Sequence, residues 1–186
     1  METQKFSVEW RDTDFLCVGG GIAGLMAAIN AAEQGMDCVV LEKADTRRSG
    51  SGCGGNDHFF CYLPEVHGPD IRRILREMML SMVGDRMDGD LALFFLEKSG
   101  EMVRRWHEWG INMKPYGGFE FRGHAFPGRP RIWLKYDGHN QKAVLNGKAR
   151  ALGTEVMNHH SVLDVAVSGG RVAGVLALDT SRDEPS

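Results

Sequence analysis

The segment VGGGIAGLMAAINAAEQGMDCVVLEK, running from Val18 to Lys43, constrains this chain more than any other stretch. It holds a G-x-G-x-x-G at Gly19, Gly21 and Gly24. Glycine fills 24 of 186 positions, so the bare pattern arises by chance about 0.4 times in a chain like this. The flanks make it specific. A small residue, Ala28, follows Gly24 by one helical turn, Gly35 comes next, and Glu42 closes a second apolar run, CVVLE. Requiring these as well lowers the chance expectation to roughly one in a thousand.

Each position has a physical reason. Residues 15–18 read as a short strand buried on both faces. Gly19 permits a tight turn at the strand end. Gly21 lets the backbone approach a pyrophosphate with no Cβ in the way, and Gly24 lets the next helix pack close to the strand. Residues 22–34 read as that helix, stopped at Gly35, and its N-terminal amides and dipole favour phosphate. Residues 37–41 form the second strand, with Glu42 placed to accept both hydroxyls of a ribose. An acid there disfavours a 2′-phosphate, which leaves FAD or NAD rather than NADP. The bland alternative is a structural βαβ unit with no ligand.

An apolar content of 42% and a charged content of 25% suit one globular domain with a real core. A net charge of −3 gives no reason to expect nucleic acid or an anionic membrane surface as partner. No apolar run reaches the roughly 18 residues of a spanning helix, so no direct membrane insertion is expected. The start METQKFSVEW lacks a basic and then apolar leader, and the expected location is cytoplasmic. Of the four cysteines, Cys17 and Cys38 fall in the two strands as buried apolar residues. Cys53, His58, Cys61 and His67 have the order C-x4-H-x2-C-x5-H, which fits no structural zinc spacing, so no metal is expected.

Beyond Lys43 the chain enters RRSGSGCGG, too dense in glycine and serine for a helix or central strand, hence a loop. Helical spacing predicts helices over residues 69–82 and 90–109, with core stripes of Ile71, Ile74, Leu75 and Met78, then Leu91, Phe94, Val103 and Trp106. Met78, Met79 and Met82 read as gap-filling core. Residues 116–131 read as a Gly/Pro/Arg loop whose Arg122, Arg129 and Arg131 are candidate anion holders, with a solvated loop as the commoner outcome. A third helix is expected over 140–152. Two β-rich runs joined at Gly169-Gly170 carry a hairpin signature and close the chain as an antiparallel meander. Residues 1–179 then form one unit, with 180–186 as a disordered tail.

The fingerprint together with LEKADTRRSGSGCGG, RRWHEWGINM, YDGHNQKAVLNGKARALG and the closing meander resembles the N-terminal part of the fumarate reductase/succinate dehydrogenase flavoprotein family. The EWGI and RSG stretches resemble its adenylylsulfate reductase α-subunit branch. The resemblance implies an α/β, Rossmann-like FAD-binding domain with a βαβ start, a helical middle and a late β-meander, incomplete here. It implies FAD against Gly19, Gly21, Ala23 and Gly24 at the pyrophosphate, and Glu42 and Lys43 at the adenosine ribose. Ser49, Gly50, Gly54 and Gly55 would run beside the ribityl chain and flavin, with the Val162 backbone at the adenine edge. Members with covalent flavin carry a histidine after that serine; Gly50 stands there in this chain, so non-covalent FAD is expected. The resemblance further implies electron transfer with a small-molecule substrate, a dicarboxylate or adenylylsulfate, and an iron–sulfur partner subunit. No stretch matches the family's substrate-processing residues, so no catalytic residue is assigned. His58, His107, His124, His139, His159 and His160 are lone histidines, more often surface groups than general acids. A nicotinamide dehydrogenase and a nucleotide-binding module without redox turnover are the competing functions.

Overall fold

The computed structural model of the chain describes residues 7–81, 86–122, 125 and 127–181. The expected helix end at Met82, His124, and residues 182–186 of the expected tail lie outside them. The elements run β1 (Phe15–Val18), α1 (Ile22–Ala32), β2 (Cys38–Glu42), β3 (His58–Phe60), α2 (Pro64–His67), α3 (Ile71–Ser81), α4 (Gly89–Glu108), β4 (Glu120–Phe121), β5 (Trp133–Lys135), α5 (Gln141–Ala151), β6 (Glu155–Asn158), β7 (His160–Ser168) and β8 (Arg171–Asp179). They divide into two compact units, one of Met1–Gly54 with Gln141–Ser186, the other of Gly55–Asn140.

The first unit is built on a parallel sheet of order β1-β2-β6. Its central strand, β2, is buried at all five positions, as expected for a strand covered on both faces. The α1 crossover packs on α5, and Cys17, Ala28, Val40 and Val156 form the core between sheet and helix. Small Ala28 and Cys17 let helix and sheet lie close. Strand β6 had no sequence expectation. Four residues carry too little periodicity, and its partner Val40 lies far back in the chain. After it, β7 and β8 form the expected antiparallel hairpin around Gly169-Gly170, with register irregularities after Val162 and after Ala166.

The second unit holds the helical middle and, in addition, a small antiparallel sheet of order β3-β5-β4. Phe60, Tyr62, Ile74, Met78, Leu96 and Ile132 make its core. The stripe expected on the long helix is half right. Val103 and Trp106 are buried, whereas Leu91 and Phe94 are exposed. The buried face of α4 instead runs through Ala92, Leu96, Ser99, Gly100, Val103 and Trp106. Small residues at its centre explain the shift, because a Cβ on Gly100 would stand 3.0 Å from the Tyr62 carbonyl oxygen. Close backbone approach took precedence over burying the larger side chains. Asp88 caps this helix, its carboxylate accepting from the Asp90 and Leu91 amides. Among the described residues no helix is long and apolar enough to cross a membrane.

Candidate functional site

The site grows from the end of β1. The fingerprint glycines and their neighbour Gly20 differ in what a side chain would meet. Gly19 has φ +101, a conformation costly for any side chain. A Cβ on Gly20 would sit 2.3 Å from Thr46 Cγ2, and one on Gly24 would sit 2.0 Å from the Gly19 oxygen. The protein's own packing therefore demands glycine at both. Gly21 differs. Its φ of −65 suits any residue, and a Cβ there would meet only Gly50 Cα at 3.9 Å, an ordinary contact. Packing thus leaves room for a side chain at Gly21, and its place at the N-cap of α1 is the one local preference for glycine there. Beside it, α1 begins with no side chain capping its N terminus and no acid in its first turn, which leaves its positive dipole end for an anion. Ala23 is exposed on this first turn.

Glu42, at the end of β2, is 5% exposed and turns its carboxylate toward the fingerprint. Oε2 accepts the Gly20 amide at 2.6 Å and Oε1 accepts the Ala44 amide at 2.8 Å. Burial acts to raise its pKa. The Ala44 and Gly20 amides, with the charge of Lys142, outweigh it and hold the carboxyl below the ordinary glutamate range. The group is thus a fixed anion, with lone pairs remaining on each oxygen for further donors. Lys43, next along, is exposed.

The serine/glycine loop comes back to the same place. Ser49 Oγ donates to the Gly20 carbonyl at 3.0 Å. Gly50, at φ +75, lies so close that a Cβ on it would be 3.1 Å from Gly21 Cα. Gly52, which the sequence did not single out, is buried, its oxygen accepting from Gln141 Nε2 at 3.0 Å. Gly54 closes this unit with open space around it. Gly55 opens the second unit, where the Gly138 oxygen, 2.9 Å from an ideal Cβ, accounts for its missing side chain.

Sequence reasoning missed the polar residues behind the loops. Lys142 is 3% exposed and Gln141 fully buried; the Lys142 ammonium donates to the Gly20 carbonyl. The Thr46 amide donates to the Asn158 side-chain oxygen at 3.0 Å, and its hydroxyl donates to Asn146 at 2.8 Å. The His159 amide donates to the Ala44 oxygen at 2.9 Å, tying the β6–β7 corner to the stretch after Glu42. Val162 stands three residues beyond that corner, half-buried and paired with Ala177, just before the break in register. A signal for Lys142 was present. It shares a helical stripe with Leu145 and Ala149, so a lysine occupies a core-facing position.

Two of the three arginine candidates of the second unit have local work. Arg129 pairs with buried Glu77 at 2.6 Å, and Arg122 pairs with Glu120 while lying 4.0 Å from the Tyr116 ring centre. Arg131 lines an open cleft of about 360 Å³ with Arg73 and His67. His58 and His139 bond the adjacent Asp57 and Asp137 at 2.6 and 2.7 Å. Cys17, Cys38 and Cys61 are buried free thiols, with burial raising each pKa.

The family model described as FAD binding domain matches residues 14–185. Among curated relatives, a fumarate reductase (CoM/CoB) polypeptide of Methanothermobacter marburgensis is 24% identical over 195 residues, covering 95% of this chain and 33% of the relative. Among solved structures, adenosine-5-phosphosulfate reductase in complex with sulfite superposes with a TM-score of 0.76 at 21% identity, covering 93% of this chain and 28% of that one. Quinol fumarate reductase of E. coli gives 0.73 at 21% identity over 90% and 29%. The chain spans about a third of the length of the curated relative and less of these structures.

Proposed function

The chain belongs to the FAD binding domain family, and from that premise we propose that residues 1–179 supply the N-terminal, FAD-binding part of a flavin-dependent oxidoreductase. Its cofactor is FAD. The observation that supports the site is Gly21, a position where backbone and packing both admit a side chain and leave the main chain open to a close ligand. In this reading the amides around Gly19, Gly21, Ala23 and Gly24 hold the pyrophosphate. Glu42 accepts from the ribose with its remaining lone pairs, and Lys43 flanks it. Ser49, Gly50, Gly54 and Gly55 pass along the ribityl chain and flavin. The break in register after Val162 frees backbone groups for the adenine edge.

When bound, the isoalloxazine supplies hydride and single-electron transfer; the chain's own part is to bind, orient and tune it. Gly50 carries no nucleophile, so FAD is held without a covalent bond. The resemblance and the names of the similar proteins support a fumarate reductase-type substrate, a C4 dicarboxylate, with adenylylsulfate as the second reading. An iron–sulfur subunit is the proposed electron partner. The anion Glu42, fixed at the ribose position, opposes a 2′-phosphate and so favours an FAD-type ligand over NADP. Purified protein supplemented with FAD should show a bound oxidised-flavin spectrum, and denaturation should release all of it as free FAD. A folded protein that takes up no flavin would overturn the reading; flavin mass retained on the denatured chain would overturn non-covalent binding.

A further inference from the structure

A lysine buried to 3% exposure needs a strong reason, because removing an ammonium from water costs several kcal/mol unless it is partnered. Lys142 reaches its burial from the first turn of α5, where neighbouring Gln141 is also fully buried and donates to Gly52. The start of one helix thus sends two polar side chains into the two glycine loops. The Lys142 ammonium and the Ser49 hydroxyl converge on one acceptor, the Gly20 carbonyl. On its other side, the Gly20 amide is held by Glu42 at 2.6 Å. Gly20 is therefore fixed at both ends.

The consequence lies one bond further on. A trans peptide is planar, so the Gly21 amide points opposite to the Gly20 carbonyl. Holding that carbonyl against Lys142 and Ser49 turns the Gly21 N–H the other way, at the residue where packing leaves the main chain open. We infer that Lys142 is a positioning residue of the FAD pyrophosphate site, which orients the Gly21 amide through the Gly20 carbonyl and balances the buried Glu42 carboxylate. This rests on the FAD reading above and assigns a group behind the fingerprint that the fingerprint does not contain.

The charged and titratable groups facing the ammonium are Glu42 from β2, with Asp45 and Cys53 from the loops. Burial pushes the Lys142 pKa down, and these three partly restore it. A bound pyrophosphate favours the protonated form. Affinity should therefore weaken as pH rises through a value below the ordinary lysine range, and binding in that interval should take up a proton.

The test uses the full chain and two substitutions. Lys142→Met removes charge and donor; Lys142→Gln keeps a donor and removes the charge. Flavin fluorescence titration should show FAD affinity falling on the order of tenfold or more in Lys142→Met. Lys142→Gln should fall less, and both should lose the alkaline weakening of the wild type. Two-buffer calorimetry of wild-type protein with ADP needs no variant to fold, and should show the alkaline proton uptake. Wild-type protein that binds with no such uptake, or Lys142 variants that keep both the affinity and the pH profile, would overturn the inference and leave the FAD reading standing. Wild-type protein that binds neither FAD nor ADP would overturn both.

Discussion

The two units use polar residues in opposite ways. In the first, Glu42, Thr46, Gln141 and Lys142 are all buried, and each bonds a loop at the end of the parallel sheet or a side chain behind it. In the second, the pairs Arg104–Glu65, Arg122–Glu120 and Lys135–Asp57 lie at the surface, where such contacts contribute little. Glu77 with Arg129, and Ser99, are its exceptions among the described residues. Burying polar groups is expensive unless each is satisfied. The first unit buries four of them around a few glycines and satisfies each with a hydrogen bond. A unit that keeps its charges outside has been shaped by its core.

That contrast can be broken by substitution. The largest effect on folding is expected from Gly24→Val, whose Cβ would stand 2.0 Å from the Gly19 oxygen; chemical denaturation should record a loss on the order of 3 kcal/mol or more. Leu96→Ala empties a fully buried position of the second unit and should cost about 3 kcal/mol. The protein that stays folded should keep its FAD affinity, and a matching fall in affinity would erase the distinction between the units. Glu42→Ala should weaken FAD binding by about 1.5–3 kcal/mol, since it removes a charged acceptor. A calorimetric titration showing no change would mean that the carboxylate serves only the Gly20 and Ala44 amides.

The same contrast explains what the sequence discloses. The geometry around Gly19, Gly21, Gly24 and Glu42 was legible because it is local, set by a strand, a turn and a helix within 26 residues, Val18 to Lys43. Ser49 and Gly50 were legible through the resemblance. Gln141 and Asn158 were not, and Lys142 showed only as a lysine on a core-facing stripe, since all three reach the loops from over 80 residues away in sequence and no motif spans that gap. Strands β3, β4 and β5 were hidden because two or three residues carry no period and their stability comes from each other. On α4 the pattern misled: Leu91 and Phe94 looked like core, but Ser99 and Gly100 set which face comes close.

The most direct test substitutes Gly21 itself. FAD titrated into the wild-type chain and into Gly21→Val, each with its unfolding transition recorded, separates ligand from fold. The prediction is one FAD bound by the wild type and none by Gly21→Val, with apo stability lowered by no more than about 1 kcal/mol. Equal binding by both proteins would show that no ligand lies against Gly21, and the account of the site would be wrong.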